Sequence, residues 1–148
     1  MAGRLAIVTM LAMLLSGCDQ GEAPVPQVPA PLVQHPEPPI GSALNHRMVQ
    51  ASRATLQRLE PAWGRFHPTI YTVDVAQAGQ IEEAIRSAMP AGWQEEDLKG
   101  FTPPGARLLV FSHGRELFAA MIVDADGEQV VPVLVLRNDA LAARAKQN

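Results

Sequence analysis

Between Ala106 and Leu136 the chain carries 19 apolar residues in 31, interrupted by two turn signals, His113-Gly114 and Asp126-Gly127. No other stretch restricts the fold so tightly. The interruptions leave three runs, Arg107 to Ser112, Glu116 to Asp124 and Glu128 to Arg137, each with the length and β-branched content of a strand. Short turns between them give an antiparallel meander, and Asp126-Gly127 reads as a type I′ hairpin. Pro132 lacks a ladder donor and predicts an edge strand or a bulge.

Every run is apolar on both sides. Leu109 and Phe111 oppose Leu108 and Val110; Phe118, Ala120 and Ile122 oppose Leu117, Ala119, Met121 and Val123; Val131, Val133 and Val135 oppose Val130, Leu134 and Leu136. Strands of this kind are buried on both faces. Either helices and loops cover both, or one face meets another molecule, because an uncovered face would exceed the few hundred Å² that a monomer usually exposes. In the second case Phe118, Ile122, Val131, Val133 and Val135 form the candidate partner face.

Upstream, Ser42 is placed to cap a helix running to about Glu60. Leu44, Met48, Ala51, Leu56, Leu59 and Trp63 form its inner stripe, and Pro61 is its stop. Arg47, Arg53 and Arg58 fall between these residues and read as a solvated face. Thr69 to Val75 alternates as a first strand, and a second helix follows from about Gln77 to Met89, with Ala78, Ile81, Ala84, Ile85 and Ala88 facing inward. Asn138 is positioned to cap a short terminal helix through Lys146. The expected fold is therefore α+β, a two-layer sandwich in which helix, strand and helix precede a three-stranded antiparallel meander, occupying residues 41–148.

Residues 18–40 look different. From Asp19 to Ile40 there are seven prolines, three acids and no Lys or Arg. Such composition does not nucleate a core, and proline favours extended polyproline II at ~3.1 Å per residue. The segment is expected to be a semi-rigid tether reaching up to ~70 Å. Pro36 and Pro39 give a P-x-x-P spacing that arises by chance in any tract this rich in proline, and His35 is expected to be solvated.

Before the tether, Arg4 precedes an apolar run from Leu5 to Leu15 that only Thr9 interrupts. A membrane span needs ~20 residues, so this run is the hydrophobic region of a secretory signal, residues 1–17. The signal ends in Leu15-Ser16-Gly17-Cys18, which resembles the lipobox of bacterial lipoproteins. The resemblance implies cleavage before Cys18 by signal peptidase II, diacylglycerol on its thiol and a further acyl chain such as palmitate on its amino group. Two or more chains hold stably where one holds weakly. It also implies a cell-envelope location with the domain in the periplasm. Asp19, in the position that enteric lipoproteins use for sorting, favours the inner membrane over the outer.

The remaining residues carry little chemistry. A lone cysteine excludes an internal disulfide and a multi-cysteine zinc site. A net charge of -3, with no clustered basic excess, argues against nucleic acid. Ser112 and His113 are the one adjacent nucleophile and base, but no glycine elbow precedes the serine, and a turn explains them better. His46 and His67 lack a partner at metal-ligand spacing. Asp124, Asp126 and Glu128 suggest a calcium loop whose first and twelfth positions would be Ile122 and Val133, which supply no charge. Glu95, Glu96 and Asp97 read as a solvated acidic loop. No catalytic, metal or cofactor residue is assigned.

The expected function is a lipid-anchored, non-catalytic binding or assembly module whose partner is an envelope protein or a second copy. Small α/β domains behind proline-rich spacers occur in subunits of secretion, conjugation and envelope-assembly machines, a likeness of architecture only. The alternatives are an inhibitor or immunity lipoprotein, a carrier of an apolar ligand held against Phe118, Met121 and Ile122, and a small hydrolase built on His113 or His67.

Overall fold

The computed structural model describes residues 22–147. The signal, Cys18 and Asp19 lie outside the described residues. The fold is α+β: a six-stranded antiparallel sheet in the order β1-β2-β6-β5-β4-β3, with three helices. The strands are β1 (Val33–Gln34), β2 (Phe66–Asp74), β3 (Gln94–Glu95), β4 (Ala106–His113), β5 (Glu116–Val123) and β6 (Val130–Asn138). The helices are α1 (Ser42–Trp63), α2 (Ile81–Ala88), preceded by a 3₁₀ segment at Val75–Gln80, and α3 (Asp139–Ala145).

The meander forms as expected, but its two turns differ. His113 pairs with Glu116 across a two-residue turn in which only Gly114 has positive φ, at 58°, as type II′ requires. The second connection, residues 124–129, is longer than the Asp-Gly pair predicts. Glu128 N–H donates to Ala125 O, and only Gly127 within that turn takes positive φ, at 80°. Type I′ needs positive φ at Asp126 as well, so it does not form.

β6 is not an edge strand. It lies between β2 and β5, and Pro132 is tolerated there for a geometric reason. His35 N–H donates to Ile70 O, so the backbone groups of Ile70 and Thr72 face β1. By alternation Pro132, opposite Thr72, turns its nitrogen toward β5, whose ladder with β6 ends at Ile122↔Val133. The missing donor thus falls where no acceptor is paired. The same parity points the nitrogen of Pro68 outward from β2 beyond the reach of β1, which is how an edge tolerates proline.

Helix α1 passes Pro61 by two residues and stops at Gly64, whose N–H reaches Glu60 O and whose φ is 76°. Its N-cap is Gly41 rather than Ser42. Leu44, Met48, Ala51, Thr55 and Leu59 are its buried stripe. They lie over the face formed by Leu108, Val110, Ala119, Met121, Leu134 and Leu136, where the Thr55 hydroxyl reaches Met121 Sδ at 3.5 Å. This is the helix-on-sheet layer the pattern predicts. The second helix begins later than expected. Asp74 caps a 3₁₀ segment through Ala76 N–H, and α2 then buries Ile81 and Ile85.

The proline-rich segment corrects the tether expectation over residues 22–40. It does not stand clear of the domain: Ala23 and Leu32 are buried, Val25, Val28 and Ile40 are half-buried against the core, and Val33–Gln34 pairs with β2. Proline leaves carbonyls free to accept, and two are used here or beside it, with Trp93 Nε1–H donating to Pro24 O at 3.0 Å and Arg144 donating to Ala23 O. The segment is a strap, and the folded unit includes it from Ala23 on rather than only residues 41 onward.

Candidate functional site

Five residues were candidates for a partner face, and the structure buries all of them. Phe118, Ile122 and Val133 are fully buried, and Val131 and Val135 nearly so. Their side of the sheet, opposite α1, is closed from within the chain. Continuing the β1–β2 register sets Leu32 opposite Val73, which pairs with Val131, so Leu32 lies on this face. It belongs to one packed cluster with these five, Ile81 and Ile85 of α2 and Leu141 of α3, against which Val25 and Val28 pack. Part of the cover that this face requires comes from the segment that composition assigned to a spacer. Met121 is also fully buried, so no apolar ligand rests on Phe118, Met121 and Ile122.

Polar groups fasten the end where the strap begins. Asn138 is 2% exposed and makes four hydrogen bonds. Its Oδ1 accepts from Leu117 N–H at 2.9 Å and from Leu141 N–H at 3.3 Å, and its Nδ2 donates to Trp63 O at 3.1 Å and Arg115 O at 2.8 Å. One side chain thus ties α1, the β4–β5 turn and α3 together, beyond the helix capping that sequence predicts for it. Arg144, mostly buried, grips both oxygens of Glu116 and reaches Ala23 O.

The residues considered for catalysis do not converge. Ser112 and His113 border one hollow with Gly92 and Ala23. Adjacent strand residues point to opposite faces, however, and each has another partner. Ser112 Oγ–H donates to Glu96, and the His113 ring lies against Trp93 with centroids 6.0 Å apart. His67 pairs with Asp139 at 2.6 Å on the surface, and His46 is exposed. His35 is half-buried rather than solvated, and its Nδ1 has no partner among the described residues. No group of three His, Cys, Asp or Glu is placed to hold a metal among the described residues.

The acidic loop is partly neutralised. Glu95 is bound by Arg86 at 3.1 Å, and Arg107 meets Glu82. The hydrogen bond to Glu95 is the main reason the Arg86 guanidinium titrates above its ordinary range, against an opposing cost of desolvation.

An apolar concavity remains open on the α1 side of the sheet. A groove of about 540 Å³ runs between α1 and the β2–β6 side of the sheet, floored by Met48, Leu56, Pro68, Ile70 and Leu134, with Val49 exposed at its lip and Arg53 and Glu60 on its rim. It exists because β1 covers β2 only as far as Ile70 and α1 does not extend over that edge. The sequence had no signal for it, since α1's stripe and β2's alternation are each read alone.

Charge is unevenly divided between the ends of the sheet. The end holding the β4–β5 turn balances Arg65, Arg115, Arg144 and Lys146 against Glu22, Glu60, Glu116 and Asp139. The opposite end carries Asp74, Asp124, Asp126 and Glu128 around the β5–β6 connection, with Arg47 donating to Asp124 O. Among the described residues no helix is long and apolar enough to cross a membrane. Comparison with family models, with curated proteins and with solved structures finds no match to this chain.

Proposed function

We propose that this chain is an envelope lipoprotein of the bacterial type, held at the membrane by acyl chains on Cys18, whose domain works in the periplasm as a non-catalytic binding module. The feature that carries the reading is Leu15-Ser16-Gly17-Cys18 behind an apolar run too short to span. Asp19 favours the inner membrane. The groove between α1 and β2 supports the binding role, because an open apolar channel with a polar rim is the common form of a recognition site. Its occupant on this reading is an apolar segment of an envelope protein. Pro68 offers that segment no backbone donor on the outer edge of β2, so recognition rests on side chains seated beside Met48, Leu56 and Ile70.

The experiment is fractionation of cells carrying the wild-type chain or Cys18→Ala, with mass measurement of the mature protein. Wild type should sediment with membranes and carry diacylglycerol at Cys18, whereas Cys18→Ala should keep its signal or lose the membrane. Wild type whose mass shows no lipid on Cys18, or a processed Cys18→Ala chain that stays with the membrane, defeats the reading. A photocrosslinker at Val49 should trap one envelope protein; one at exposed Gln129 should not.

A further inference from the structure

The docked strap alters how far the anchor can let the domain travel. Resting on the lipid-anchor reading, we propose that the end of the sheet bearing the β4–β5 turn lies against the phospholipid headgroups, with the β5–β6 end directed away from the bilayer.

Chain length sets the reach. Cys18 is five residues from Ala23, and five residues reach at most ~18 Å when fully extended. Ala23 is fixed: it is buried, its carbonyl accepts from Arg144, and it lines one hollow with Gly92 and His113. An acyl chain on Cys18 therefore keeps this end within about one helix diameter or two of the surface. A free tether over residues 18–40 would have allowed roughly four times that distance. The strands then carry the chain ~26 Å or more to the opposite end.

Length alone permits the domain to lie on its side, and charge opposes that. The far end gathers Asp124, Asp126 and Glu128 near Asp74, and with Arg47 at Asp124 O and Arg107 paired to Glu82 it stays net acidic, which an anionic headgroup layer repels over a Debye length of ~8 Å. The near end is balanced, exposing Arg115 and Lys146 beside Glu22, Glu60 and Asp139, so anionic headgroups do not repel it. Anchor and charge select the same orientation independently. In that orientation the α1 groove opens sideways, along the membrane plane rather than into it.

The test uses the full chain, matured in cells and reconstituted in vesicles of phosphatidylethanolamine and phosphatidylglycerol containing a headgroup-nitroxide lipid. Single cysteines replace Ala140, which shares a surface hollow with Gly114 and Arg115, and Gln129 at the far end. Both positions are exposed, and each carries a small fluorophore. Quenching at Ala140→Cys should be several-fold stronger than at Gln129→Cys. Equal quenching or the reverse order, in protein whose mass shows diacylglycerol on Cys18, overturns the orientation and leaves the anchor standing. Protein without that lipid mass overturns the anchor reading, and the orientation falls with it.

Discussion

Leu32→Ala separates a docked strap from a free spacer. Leu32 is 9% exposed and lies in the cluster with Phe118 and Val133, while its neighbour Val33 is 62% exposed on the outer strand. Deleting the outer carbons of a buried leucine costs 2–5 kcal/mol in a closed core, and the rim position with a strap able to resettle puts this site near the bottom, about 2 kcal/mol. For a domain of this size each kcal/mol moves the midpoint by about 3–5 °C, so thermal unfolding should shift by about 6–10 °C. Val33→Ala removes exposed carbons and should cost about 0.5 kcal/mol or less. The comparison is made on the chain without residues 1–17 and with Cys18→Ala. Hydrogen exchange at the His35 amide, bonded to Ile70 O at 2.9 Å, adds a local probe, because Leu32→Ala can cost no more than the strap's own docking energy if the strap opens before the sheet. Midpoints within about 1 °C for both variants, with His35 exchanging as an open amide, would refute the docking of the strap.

Asn138→Ala leaves two buried N–H groups and two carbonyls without their partner, and at about 1 kcal/mol for each it should cost about 4 kcal/mol in urea unfolding. Arg144→Met strands the Glu116 carboxylate in a mostly buried site, for a loss of about 3 kcal/mol. Because the same substitution releases Ala23 O, protease sensitivity near residue 24 should rise with it. Gly105→Ala places a Cβ at a φ of 63° and 2.8 Å from Arg47 Cδ, so Arg47 must leave Asp124 O; a loss of about 1–2 kcal/mol is expected, and a neutral result would mean that the turn re-forms.

The meander was legible because three apolar runs separated by glycine turns admit few other arrangements. The inner stripes of α1 and α2 were legible for the same periodic reason. What escaped were pairings set by tertiary context. Val33–Gln34 and Gln94–Glu95 are two-residue strands with no pattern of their own, and they exist because the edges of β2 and β4 were available. Phe66 to Pro68 was missed at the start of β2 because a proline demotes a run unless its nitrogen is known to face outward. The candidate partner face illustrates the limit best. Alternation showed that Phe118, Ile122 and Val133 needed a cover, but periodicity does not say which segment supplies it.

The strap's composition makes physical sense once it is docked. A polar spacer folding back over a sheet would lose about 1–2 kcal/mol of backbone entropy for each ordered residue, more than Leu32 and a few half-buried valines return. Seven prolines have φ fixed before docking and restrict the residues that precede them, so the free chain has less to lose. The same prolines present carbonyls with no N–H of their own to satisfy, suiting a segment that forms only a two-residue ladder and bonds elsewhere through Ala23 O and Pro24 O. High proline content therefore does not distinguish a spacer from a strap. The apolar residues set between the prolines decide it, and here Val25, Val28 and Leu32 fall where the sheet face needs them.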